Sequence, residues 1–123
     1  MIKGIGVDIV EVERIAKAAE NERFYTRLFT SAEVAVFERC HYRAETVAGR
    51  FAAKEAVLKA LGCGIGDVAF ADIAVLRADS GAPYIELSGS AQAKAAALGI
   101  KTIHISISHT ARYAVAQAVA EGD

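Results

Sequence analysis

Several things are scarce in this sequence, and each scarcity closes off a class. Cysteine occurs twice, at Cys40 and Cys63, with neither a CxxC spacing nor a Cys/His ligand pattern. A disulfide framework and a structural zinc site are therefore set aside, and both residues read as reduced thiols. No apolar run reaches the ~20 residues that span a bilayer. The opening MIKGIGVDIV has one lysine, then glycines and an aspartate. It lacks the basic start, apolar core and small-residue cleavage site of a secretion signal. The expected location is the cytoplasm, with no membrane partner. Charge of one sign is not in excess either: the net charge is −1. Basic residues are matched by acidic ones without an aromatic-basic motif, which argues against nucleic acid as a partner. Repeats, linkers and low-complexity tails are missing. What remains, 123 residues at 54% hydrophobic and 24% charged, fits a globular chain with a single domain over 1–123.

Strand and helix signals are plentiful. IKGIGVDIV alternates, with Lys3, Ile5, Val7 and Ile9 on one face and Ile2, Gly4, Gly6 and Asp8 on the other. Asp8 thus shares a face that two glycines clear for close approach by backbone or ligand. VERIAKAAENERFYTRLF carries a broken helical pattern. TSAEVAVFERC opens on Thr30 and Glu33 in capping-box spacing, so a helix starts there. AETVAGRFAAKEAVLKALG is the strongest helix and stops at Gly62; the glycine loop GCGIGD follows. IAVLRADSGAPYIEL predicts a hairpin turning about Asp79, Ser80, Gly81 and Pro83. SAQAKAAALG predicts a helix closed by Gly99. KTIHISISHTARYAVAQAVA predicts two strands about a polar turn at His109, Thr110 and Ala111. This order of elements implies an α+β domain with a largely antiparallel sheet packed with helices.

The central helix holds charges that its apolar content does not explain. On a wheel at about 100° per residue, Val47, Phe51, Leu58 and Leu61 form a stripe, and Lys54 falls inside it. Glu55 lies to one side with Lys59 one turn further on, and Arg50 flanks the other side. The plain reading is a solvated Glu55–Lys59 pair, with the Lys54 stem on apolar surface and its ammonium in water. The functional reading puts a divalent cation and a phosphate between the charges. Magnesium takes a few carboxylate oxygens and leaves its other positions to water and phosphate. Glu55 and Asp8 would supply the carboxylates, Lys59 would neutralise phosphate, and His109 would add a phosphate or base contact. Lys54 is open between a phosphate contact and a structural lysine.

GIGVDIVEVERI, RFAAKEAVLKALGCGIG and ISISHTARYAVAQAV, with RFYTRLFTSAE and DSGAPYIEL in order between them, resemble the bacterial holo-acyl-carrier-protein synthases. These are the short, single-module phosphopantetheinyl transferases, and the likeness covers nearly the whole chain. It implies the phosphopantetheinyl transferase-like fold and a magnesium-dependent enzyme. Such an enzyme moves phosphopantetheine from coenzyme A to a serine of apo acyl carrier protein and releases adenosine 3′,5′-bisphosphate. By the resemblance, Asp8 and Glu55 are the metal-binding carboxylates, and with Lys59, a contact to the coenzyme phosphates, they form the catalytic set. The serine proton passes to Glu55 or to a water that Glu55 orients. Arg50 and His109 match positions near the adenosine end and its 3′-phosphate. Gly62 and Gly64 belong to a loop beside the nucleotide, where Cys63 stands in place of the threonine of many relatives. Arg14, Arg23, Phe24 and Arg27 align with a carrier-docking helix, which suits an acidic carrier, although Glu20 and Glu22 intrude among them. The resemblance further implies a homotrimer with active sites between subunits. The competing expectation is a non-catalytic coenzyme A- or nucleotide-binding oligomeric module, which would bind coenzyme A without transferring anything.

Overall fold

The computed structural model describes residues 1–63 and 66–123. In chain order its elements are β1 (Ile2–Glu11), α1 (Val12–Ala18), α2 (Glu22–Leu28), α3 (Ser31–Arg39) and α4 (Ala44–Ala60). A 3₁₀ turn, Phe70–Asp72, leads to β2 (Ile73–Arg77) and β3 (Pro83–Leu87), then α5 (Gly89–Ala97), β4 (Ile100–His109) and β5 (Tyr113–Gly122). β5 lies between β1 and β4 in an antiparallel three-stranded sheet, while β2 and β3 form a separate antiparallel hairpin. The expected α+β architecture with antiparallel pairing is thus observed.

Small residues set the distance between α4 and the sheet. Ala114, Ala116, Ala118 and Ala120 of β5 are all buried, as are Ala52, Ala53, Ala56 and Ala60 of α4. On β1, a Cβ at Gly4 would overlap the Ala60 carbonyl oxygen, and one at Gly6 would overlap that of Ala56 and crowd Ala60 N at 2.8 Å. The face that the glycines clear is therefore occupied by helix backbone. Because Gly49 lies near Ile107 of β4 while Ala56 and Ala60 lie over β1, α4 crosses the sheet obliquely. Its opposite side carries the foreseen stripe of Val47, Leu58 and Leu61, also buried. The helix is wrapped on most of its circumference instead of along one stripe, since the sheet covers one side and the remaining helices and hairpin the other.

Local signals account for the element ends. At α3 the Thr30 backbone N–H donates to Glu33 Oε1 at 2.9 Å, and the Glu33 N–H donates to Thr30 Oγ1 at 3.2 Å. α4 ends in a Schellman motif: Cys63 N–H donates to Leu58 O and Gly62 N–H to Lys59 O, both at 3.0 Å, with Gly62 at φ +70°. The broken pattern after β1 resolves into two helices, α1 and α2. The second is capped by the Asn21 side chain, which accepts from Arg23 N–H at 3.0 Å. Among the described residues no helix is long and apolar enough to cross a membrane. The outer sheet face is open: Ile5, Val7 and Ile9 of the edge strand β1 are 66%, 57% and 65% exposed.

Candidate active site

β1 aims Asp8 toward α4, with its strand partner Ala116 beside it. From α4 the Lys59 ammonium reaches back across the gap, donating to Val7 O at 2.9 Å and Asp8 Oδ1 at 3.2 Å. The solvated Glu55–Lys59 pair of the plain reading is thus replaced by a cross-element pair with Asp8. The second Asp8 oxygen, Oδ2, is buried with no hydrogen-bond partner among the described residues. An unsatisfied carboxylate oxygen is costly to bury and invites a cation. Glu55, half-buried one turn before Lys59, has its pKa raised first by burial and then by the Asp8 charge, with Lys59 pulling it down. Two carboxylates that sense one another around a free oxygen fit a magnesium ion. Among the described residues no group of three or more His, Cys, Asp or Glu side chains gathers. A cation here would draw its remaining ligands from water and substrate phosphate, as magnesium does.

Glu55 also lines an apolar cavity of about 620 Å³ with Arg27, Leu28, Phe51, Leu58 and Phe70. The residues aligned with a single docking helix are divided in the structure: Arg14 lies on α1, whereas Arg23, Phe24 and Arg27 lie on α2. The arginines are exposed. Phe24 is half-buried instead, its ring centroid 5.3, 5.6 and 6.1 Å from those of Tyr25, Phe29 and Phe51. Its packing fixes α2 on the body of the protein.

Arg50 and His109 meet elsewhere. They line a pocket of about 200 Å³ together with Glu45, Thr46, Arg77 and Pro83. The oblique path of α4 explains the separation: Arg50 is carried to the β4 side and Glu55 and Lys59 to the β1 side. Arg50 Nε is buried without a partner among the described residues. Burial, then the charge of Arg77, lowers the Arg50 pKa. Arg77 was not foreseen from sequence, because an arginine at a strand end carries no motif and only the fold brings it beside Arg50. Gly62 is exposed, and its positive φ is what closes α4. Gly64 lies outside the described residues.

Lys54 proves structural. Fully buried, it donates to Glu33 Oε1 at 2.7 Å, Ile73 O at 2.6 Å and Phe70 O at 3.1 Å. Its ammonium also lies 4.9 Å from the Phe29 ring centroid. All three protons are used internally, which leaves none for a phosphate.

The chain belongs to the 4′-phosphopantetheinyl transferase superfamily, whose family model it matches over residues 4–118. It is 52% identical to a holo-[acyl-carrier-protein] synthase of Alkaliphilus metalliredigens over 121 residues, covering 98% of this chain and 99% of that one. Identity to the synthase of Alkaliphilus oremlandii is 49% over 121 residues, with the same coverage. A holo-(acyl-carrier-protein) synthase of Bacillus anthracis, solved in complex with CoA (3′,5′-ADP), superposes with a TM-score of 0.83 at 42% identity. That match covers 100% of this chain and 99% of the other.

Proposed function

We propose that this chain transfers phosphopantetheine from coenzyme A to a serine of an apo acyl carrier protein, giving the holo carrier and adenosine 3′,5′-bisphosphate. The observation that carries the reading is the buried Asp8 Oδ2, without a partner among the described residues, on a carboxylate whose charge raises the Glu55 pKa and to which Lys59 is tied. Asp8 and Glu55 would hold magnesium. The ion, when bound, neutralises pyrophosphate charge and polarises the phosphorus under attack. Lys59, 52% exposed and anchored by Val7 O and Asp8, presents its ammonium to the phosphate oxygens. The serine oxygen forms a bond to the phosphorus bearing the pantetheine arm as the pyrophosphate bridge breaks in line. The serine proton leaves toward Glu55, directly or through a water that Glu55 orients. Arg50 and His109 receive the adenosine end and its 3′-phosphate, and Gly62 borders the nucleotide.

Arg14, Arg23 and Arg27 present positive charge to an acidic carrier, and Arg27 lines the same cavity as Glu55. Phe24 supports that surface from within. The working assembly is a homotrimer. Two observations support it: the exposed apolar face of β1, which a partner subunit would cover, and the separation of the Asp8–Glu55–Lys59 set from the Arg50–His109 set within one chain. A neighbouring subunit would bring the second set to the first. The cytoplasm, where carrier and coenzyme A meet, is the proposed compartment. The test is to incubate the chain with coenzyme A, magnesium and an apo carrier. The phosphopantetheine mass increment on the carrier is expected, and its loss on chelating the metal.

A further inference from the structure

Lys59 sits on the last turn of α4, one turn after Glu55. Its stem leaves the helix over Gly6 of β1, where an added Cβ would stand 2.9 Å from Lys59 Cβ. That path carries the ammonium to the strand backbone. Two of its three protons go to Val7 O at 2.9 Å and to Asp8 Oδ1 at 3.2 Å. The Asp8 side chain is only 16% exposed, and a carboxylate so shielded from water is costly without a positive partner. Lys59 supplies that partner from within the chain. Asp8 Oδ2, without a hydrogen-bond partner among the described residues, is left for a cation. A magnesium ion on Oδ2 and an ammonium on Oδ1 would nevertheless share the single negative charge of Asp8, and like charges on one carboxylate repel. Magnesium also gives up its hydration water reluctantly, so a half-neutralised aspartate is a poor ligand for it. A pyrophosphate changes the balance, because it adds negative charge and offers the ammonium other acceptors. The Lys59 head is 52% exposed and has room to turn: Val7 O can keep one proton while the proton on Asp8 passes to a phosphate oxygen.

We propose that Lys59 is a resident stand-in for the metal: its ammonium holds Asp8 until coenzyme phosphate draws it away, so that magnesium binds tightly only together with coenzyme A. The proposal rests on the reading of Asp8 and Glu55 as magnesium carboxylates and adds the condition under which the site fills. A lysine that served phosphate alone would make no contact that magnesium has to break.

The experiment is a calorimetric titration with magnesium chloride, without coenzyme A, of the wild-type chain, Lys59→Met and Asp8→Ala, each checked for its fold by circular dichroism. Wild type should bind weakly and Asp8→Ala not at all. Lys59→Met should bind about fivefold to tenfold more tightly than wild type, the low end of coupling between sites because the lysine head is half-exposed. Lys59→Gln repeats the test should the methionine variant fail to fold. Adding coenzyme A should tighten magnesium binding more in wild type than in Lys59→Met, since the variant has no ammonium to displace. Equal magnesium affinity in wild type and variant, or tighter binding in wild type, would overturn the proposal. A crystal structure of wild type with magnesium alone, at a concentration that fills the calorimetric site, separates contact from field. Lys59 Nζ should leave Asp8 Oδ1, and an ion on Asp8 with the 3.2 Å contact intact would overturn the proposal while keeping the metal site. Magnesium binding that is absent with and without coenzyme A, or unaffected by Asp8→Ala, would sink the metal reading and the proposal with it.

Discussion

Glu33 and Lys54, twenty-one residues apart in the chain, show how much a single side chain can hold. Glu33 caps α3, accepts from Val75 N–H at 3.1 Å and pairs with Lys54. Lys54 in turn ties two carbonyls of the segment leading into β2. Burial lowers the Lys54 pKa, and the charge and hydrogen bond of Glu33 raise it again. Removing one partner of such a pair strands the other without water. Lys54→Ala and Lys54→Met should each lose about 3–5 kcal/mol of unfolding free energy, measured by urea denaturation; a loss under about 1 kcal/mol would mean the pair behaves like a surface contact. The wheel flagged Lys54 as misplaced, yet its partner was unreadable. Glu33 already had a complete local explanation in the capping box, and nothing in the sequence announced a second duty. Asp8 stood out in the sequence because it shares one strand face with Gly4 and Gly6. Its bond to Lys59, fifty-one residues away, was not, since local spacing offered Glu55 to Lys59 first.

Among the elements, the contact of β1 with α4 places the carboxylates, and glycine sets its closeness. Gly6→Ala should cost about 1–3 kcal/mol or more, because the new methyl meets helix backbone that cannot step aside. Chemical denaturation would show it, and transfer activity should fall with it as Asp8 moves relative to Glu55. Strands and caps were readable because alternation, the Thr30–Glu33 box and Gly62 are local signals. The division between α1 and α2 was only half readable: the apolar pattern broke, but the Asn21 cap that restarts the helix lay within a polar run, AAENERF. That division puts Arg23 on α2, where its side chain is exposed. Arg23→Glu should raise the KM for the carrier roughly three- to tenfold and flatten its salt dependence, with the KM for coenzyme A unchanged. Carrier kinetics insensitive to this reversal would remove α2 from the docking surface.

At the scale of the whole molecule, the two proposed halves of the site stand apart along α4, and the proposed trimer would join them across subunits, with the exposed face of β1 as its contact surface. Light scattering at micromolar concentration should give a trimeric mass, and a monomer would contradict the assembly. A sharper prediction follows from the shared site. Glu55→Gln and His109→Ala, each impaired alone, should recover part of the transfer activity when co-expressed as mixed trimers, since some junctions then hold two intact halves. Absence of recovery in assembled mixed trimers would place the whole site within one chain. The fold class was open to sequence because it sums many local signals; which residues share a pocket was not, because it depends on the angle at which α4 crosses the sheet. The most direct measurement of the central claim is the mass of an apo carrier after incubation with coenzyme A, magnesium and either wild type, Asp8→Ala or Glu55→Gln. Wild type should add phosphopantetheine, and neither variant should do so while both keep the wild-type circular dichroism. Near wild-type turnover in either variant, or no increment with the wild type, would contradict it.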